Sequence, residues 1–314
     1  MKTTMPEVLV DDPYFSRAVS FFEALQDEIV AALEASDGAG RFLRDDWQRE
    51  PVESPDPQAP ILTGYGRTRV LEGGRVLERG GVNVSVVEGR FQQDFAGTMP
   101  GEGRHFRASG ISLVLHPLNP HAPTVHLNYR RLQRGGAAWF GGGADLTPST
   151  LYEEDARHFH GHLRAACLRH PEVARYAELK EACDRYFYLP HRKEHRGIGG
   201  LFFDHWLDAP EASFAFVQDV GRAFLDAYLP ILERRKDQPF TEEERAWQLV
   251  RRGRYVEFNL IWDRGTLFGL RTGGRIESIL MSMPATASWA YDARPPGPAE
   301  AALLDAVRQP RVWV

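Results

Sequence analysis

Residues 108–130 read ASGISLVLHPLNPHAPTVHLNYR, and their pattern decides the fold. Alternate side chains of a strand point to one face, so Ser112 and His116 share a face of one strand, and His126, Asn128 and Arg130 share a face of the next. The LNPHAP link between them cannot be regular structure, because proline has no N–H to give to a ladder. It reads as a hairpin-like connection that lets the two polar faces meet. A purely structural strand pair has no need of two histidines, a serine, an asparagine and an arginine. Turned inward, a face carrying His and Arg makes a site for an anion; a solvated sheet face with scattered polar residues is the plainer alternative.

Outward from this pair, GYGRTRVLEGGRVLERGGVNVSVVEG at 64–89 alternates short strands with glycine turns, and strand-like segments continue at 108–117, 123–133 and 136–141. The connections are too short for helical crossovers, so the pairing is antiparallel. Before the sheet, Phe15, Val19, Phe22, Leu25, Ile29 and Leu33 recur at helical spacing after Asp12 and Pro13, with Gly38 as the stop, while EPVESPDPQAP at 50–60 reads as a surface loop. Thr150 and Glu153 form a capping-box signature, helical periodicity follows to about residue 169, and helices dominate to about 253. YVEFNLIW at 255–262 returns to strand character, another strand is expected after Gly265, and a last helix fits 298–309. The fold class is α+β: one domain over residues 1–314, a large antiparallel sheet flanked by helices.

With 314 residues and 43% hydrophobic content the chain can bury a sizeable core. A formal net charge of −5 argues against a general nucleic-acid binder, which needs a basic excess to neutralise phosphates. Only four of the 38 basic residues are lysines; compositional bias explains such an excess of arginine, and bidentate recognition of carboxylates is the sharper reading where arginines sit beside glycines and aromatics. Cys167 and Cys183 are too few for a disulfide framework, and no run approaches the roughly 20 apolar residues that span a bilayer, so a soluble cytoplasmic protein is expected.

Four further blocks carry more chemistry than scaffolding requires. AWFGGGADLTP at 138–148 lets backbone pass close to a partner and delivers Asp145, which otherwise reads as a turn or capping carboxylate; its spacing is not a dinucleotide fingerprint. In EEDARHFHGH, His158 and His162 share a helix face while His160 points nearly opposite, so the three cannot serve one pocket. YFYLPHRKEHRGIGGLFFDHW at 186–206 combines aromatics with His191, Arg192 and Arg196, either lining a pocket for a large flat anion or forming aromatic core with surface arginines. RRGRYVEFNLIWDRGTLFGLRTGGR at 251–275 ends on Gly273, Gly274 and Arg275, whose amides and guanidinium suit a carboxylate at the tip of a strand pair.

These blocks, with DDWQRE at 45–50 and the continuation RIESILMSMP, resemble the oxygen-dependent coproporphyrinogen III oxidases across nearly the whole chain. The resemblance implies a homodimer with contacts around residues 255–290. It also implies oxidative decarboxylation of the ring A and B propionates of coproporphyrinogen III to vinyl groups. Molecular oxygen is then the acceptor, and protoporphyrinogen IX, carbon dioxide and hydrogen peroxide the products, with no organic cofactor. Carried over by position, Ser112, Asn128, Tyr129, Arg130, Gly273, Gly274 and Arg275 become substrate contacts, His126 a proton donor, and Asp145 a partner of the pyrrole N–H groups. His116, His126, His160 and His191 match four histidines assigned to a divalent metal in bacterial members, while other relatives are thought to work without one. The chain departs from the family in reading Asp204-His205 where relatives often have two aspartates, and in lacking a histidine within 82–90. Two rival readings stay open: a histidine-metal oxygenase or hydrolase acting on another carboxylated substrate, and a non-catalytic tetrapyrrole carrier.

Overall fold

The structure, a computed structural model, describes residues 9, 11–50, 62–91, 97, 99–271 and 274–314. Gly273 and all but the first residue of the Pro-rich segment 50–60 lie outside that set. Seven strands form one antiparallel sheet: β1 (Leu43–Arg49), β2 (Leu62–Glu72), β3 (Leu77–Arg90), β4 (His105–Pro117), β5 (Thr124–Arg134), β6 (Ala137–Thr147) and, after a two-stranded ladder of β7 (Tyr188–Leu189) and β8 (Glu194–His195), β9 (Gly200–Trp206). β9 pairs with β6 at the edge, so the helix-dominated stretch expected after Thr150 is interrupted by a strand.

Register settles which residues share a face. Directly opposed residues of antiparallel strands lie on the same side. Asp45, Thr68, Asn83, Ser112, Asn128, Gly143 and Phe202 stand opposite one another in turn and form one row across all seven strands. The neighbouring row runs Gly81, Val114, His126, Asp145 and Gly200. The polar residues of β4 and β5 therefore do meet, on a single face.

The alternate positions point the other way. Val82, Val84, Ile111, Leu113, Leu115, Val125 and Leu127 are buried with Phe22, Leu25, Ile29 and Leu33 of α1 (Pro13–Asp37), Phe159 and Leu163 of α2 (Glu153–Arg169), and Val217, Phe224 and Ile231 of α4 (Pro210–Arg235). Truncating a fully buried leucine or isoleucine in such a core costs about 2–5 kcal/mol. At the start of α1, the Asp12 side chain accepts from the Tyr14 N–H and Gly38 closes the helix at φ 77°, as expected. Asp12 also holds Arg131 at two points, 2.9 Å each, tying the helix start to β5.

Three expectations are corrected. Residues 255–262 are not a strand: they end α5 (Glu242–Ile261) and supply its cap Trp262, and the segment after Gly265 belongs to α6 (Arg264–Arg271). Aromatic and β-branched composition imitates a strand there, but Arg251, Arg252, Tyr255, Phe258 and Asn259 are buried at spacings of three and four. The capping box falls at Thr241–Glu244, not at Thr150–Glu153, because Thr150 Oγ1 is spent on Glu300 (2.8 Å). After α3 (Tyr176–Tyr186), the remaining helices are α7 (Ile276–Leu280) and α8 (Pro298–Arg308), the last close to the expected 298–309.

Candidate active site

The polar face is roofed by α5 and α7. Gln248 and Arg252 of α5 donate to the Pro117 carbonyl at the end of β4, while Ser278 of α7 bonds Thr68 (2.8 Å) and His116 Nε2 reaches the Ser282 carbonyl (2.9 Å). Close approach is possible because β3 has glycine at 81, where a Cβ would lie 2.6 Å from the Met281 sulfur.

At the β5–β6 side, His126 and Asp145 stand opposite each other, and His126 Nδ1 lies 2.8 Å from Asp145 Oδ1. Asp145 also receives Arg196 Nη2 at 2.9 and 2.8 Å, and Arg196 Nη1 donates to Asn259 Oδ1 of α5 at 2.9 Å. The Arg196 guanidinium is 2% exposed and lies over Phe187 (4.0 Å), Tyr255 (4.6 Å) and Phe258 (5.0 Å). Burial opposes a charge on Asp145, but Arg196 and then His126 outweigh it and hold the carboxyl below its ordinary range. An ionised carboxylate only accepts, so the Nδ1 of His126 carries the hydrogen and Nε2 is the ring's working atom.

Two rows along, the absence of a Cβ at Gly141 leaves room for an ion pair: a Cβ there would stand 2.6 Å from Asp204 Oδ1 and 3.1 Å from Arg130 Nη2. Arg130 pairs with Asp204 (2.9 Å) and donates to Asn128 Oδ1 (2.9 Å). Burial opposes ionisation of Asp204, and Arg130, His205 and Arg264 together outweigh it, so its pKa is lowered. Across the sheet, Arg275 reaches Asp45 of β1 (2.5 Å).

The structure thus brings Ser112, His126, Asn128, Arg130 and Asp145 onto one face. Arg275 stands at the same face's β1 edge, with Gly274 next to it in sequence. Tyr129 is not with them: its ring is fully buried on the opposite face, over Gly142 and near Phe203. Asp145 is 1% exposed, so it communicates with the polar face through His126, whose side chain is 20% exposed.

The four histidines offered to a metal do not fit a shared cation. His116 donates Nε2–H to the Ser282 carbonyl and accepts from Thr124 (3.1 Å); His160 donates to the Ile198 carbonyl (3.2 Å) and accepts from Tyr176 (2.6 Å). Burial, joined by Arg252 for His116 and Lys180 for His160, lowers each to about 3, so both rings are neutral with both nitrogens committed. His191 is taken by Glu257 (2.7 Å) and Trp262 (3.2 Å), and His126 by Asp145. Among the described residues no three His, Cys, Asp or Glu side chains converge on a metal position.

Sequence reasoning named Arg196 among pocket-lining candidates without a role and Asp204 only as a departure from the family, and it passed over Asn259 and Asn83. Strand parity in VNVSV would have placed Asn83 beside Ser112. Nothing local separates Arg196 from Arg192, which pairs with Glu257 nearer the surface. The family model described as coproporphyrinogen III oxidase matches residues 17–313.

Proposed function

The chain belongs to the coproporphyrinogen III oxidase family, oxidoreductases of porphyrin biosynthesis, and from that premise we propose that it is the aerobic enzyme, converting coproporphyrinogen III to protoporphyrinogen IX with molecular oxygen. The observation that carries this reading is the buried Arg196–Asp145–His126 chain, which presents one imidazole nitrogen to a polar face flanked by Arg130 and Arg275.

For each of the two propionates, a β C–H bond and the bond to the carboxylate carbon break and a vinyl group forms. Carbon dioxide leaves, and the two electrons pass to oxygen, which with two protons becomes hydrogen peroxide. The electron-rich pyrrole relays the electrons released by the side chain to oxygen, so no organic cofactor is called for. Arg130 and Arg275 suit propionates because a guanidinium meets a carboxylate with two parallel bonds. Ser112 and Asn128 lie on the same sheet row and orient the macrocycle, while the Gly274 N–H is given to the Gly269 carbonyl (2.7 Å), so Arg275 meets the carboxylate through its guanidinium. His126 Nε2 handles a proton at the reacting ring, a role suited to imidazole near neutral pH. Asp145 acts as a positioning residue by fixing the His126 tautomer. The histidines that would hold a metal are committed to Thr124, Tyr176 and Glu257 instead.

The active form is proposed to be a homodimer of single-domain subunits in the cytoplasm. Leu260, Ile261, Trp262 and Ile276 expose apolar surface in the 255–290 region, as a subunit contact requires. Both cysteines are free and buried, and no described helix is long and apolar enough to cross a membrane.

The deciding experiment follows aerobic turnover of coproporphyrinogen III by metal-analysed protein, recording product and oxygen uptake with and without chelator. One oxygen consumed per propionate lost, undiminished by chelator, is the expected result. Tight binding without oxygen uptake would establish the carrier reading instead, and abolition by chelator would establish a metal enzyme.

A further inference from the structure

We propose that Asp45 sets the affinity for the tetrapyrrole by competing with a substrate carboxylate for Arg275, an inference that rests on Arg275 being a propionate contact. Asp45 opens the row that crosses the whole sheet through Thr68, Asn83 and Ser112 to Asn128. Its Oδ2 lies 2.5 Å from Arg275 Nη1.

The arginine is presented to it by a fixed mount. Arg275 Nη1 also reaches Ser278 Oγ (3.3 Å); Ser278 Oγ lies 2.8 Å from Thr68 Oγ1, which in turn bonds Asn83 Oδ1 (2.8 Å) and accepts from Trp47 Nε1 (3.1 Å). Thr68 stands directly opposite Asp45 in the β1–β2 ladder, so one local network carries both ends of the ion pair. Ser278 therefore remains a partner for Arg275 when Asp45 is neutral.

The pair itself is exchangeable. Arg275 and Asp45 side chains are 32% and 35% exposed, in contrast to Arg131 and Asp12, each 3% exposed and joined at two points. A half-exposed pair is weak, and a propionate offers the same chemistry as the Asp45 carboxylate, whose like charge resists its arrival. Asp45 therefore taxes binding without touching the reacting carbons.

The test measures affinity for coproporphyrin III, the oxidised tetracarboxylate that cannot turn over, by fluorescence titration of the full chain at low and high salt. Wild type, Asp45→Asn, Arg275→Ala and the double variant are compared, and Asp45→Ser repeats the measurement should the asparagine variant fold poorly. Asp45→Asn is expected to bind about 1.5- to 5-fold more tightly, the range set by a partly exposed ion pair. It should lower KM for coproporphyrinogen III to match and leave kcat unchanged. The gain should shrink at high salt and vanish when Arg275 is alanine. Equal or weaker binding by Asp45→Asn, or a gain that survives without Arg275, overturns the proposal while leaving the enzyme reading intact. If neither wild type nor variant binds the tetracarboxylate, the carboxylate-site reading falls with it.

Discussion

Arg196 Nη2 bonds both oxygens of Asp145, at 2.9 and 2.8 Å, and each side chain of the pair is 2% exposed. Removing one partner of a buried ion pair leaves the other charge unpaired, at a cost of about 3–5 kcal/mol. Asp145→Ala is therefore expected to unfold at distinctly lower denaturant and cannot by itself report on catalysis. Asp145→Asn keeps the shape, but its amide can donate to His126 Nδ1 and so reverse the tautomer, as in the catalytic triad's Asp-to-Asn change. We expect kcat to fall by about 10²- to 10⁴-fold with coproporphyrin affinity changed little. A kcat within a few-fold of wild type would mean that His126 does not depend on this carboxylate.

His126→Ala tests the proton-handling role proposed for this ring. Positioned acid–base groups contribute about 10²- to 10⁴-fold, and that loss should appear in kcat, since Arg130 and Arg275 keep their contacts on other strands. Imidazole added to the assay should restore part of the rate, because the space left beside Asp145 retains its acceptor. Loss of binding equal to the loss of rate would make His126 a binding residue.

The sheet and its polar face were legible because they rest on a period of two: once Ser112 and His126 are set on strands, register alone carries their side of the sheet to Asp45, Asn83 and Asp145. The roof was not legible. Tyr255, Phe258 and Asn259 look like strand residues in isolation, and only the partners that bury one side of them, Arg196 and His116, reveal the helix. Tyr129 illustrates the same limit from the other side. The family resemblance puts it in the site with Asn128 and Arg130, yet parity sends it to the core.

His116 and His160 make stability depend on pH with a definite sign. Each pKa falls from about 6.5 unfolded to about 3 folded, so below pH 6.5 the unfolded chain binds protons that the folded one excludes. Their stabilising effect is complete above pH 6.5 and is lost as pH falls toward 3. Two such groups give a slope of up to about 2.7 kcal/mol per pH unit near pH 5. Urea midpoints should fall steeply between pH 6 and 4, and more gently in His160→Asn. A flat profile across that window would mean that both rings ionise freely in the folded state.

Tyr129→Phe closes the question of which side of β5 serves the substrate. The Tyr129 hydroxyl is buried without a hydrogen-bond partner, and burial drives its pKa well above the ordinary value. Leaving such a group unsatisfied costs about 1–3 kcal/mol, so phenylalanine, which keeps the ring packed on Gly142 and beside Phe203, should be neutral or stabilising. If the hydroxyl plays no part in the chemistry, kcat and KM will match wild type while the melting temperature holds or rises. A tenfold loss of activity with unchanged stability would instead require the Tyr129 hydroxyl to reach the substrate face, through a rearrangement of β5 that the observed register with β4 and β6 does not permit.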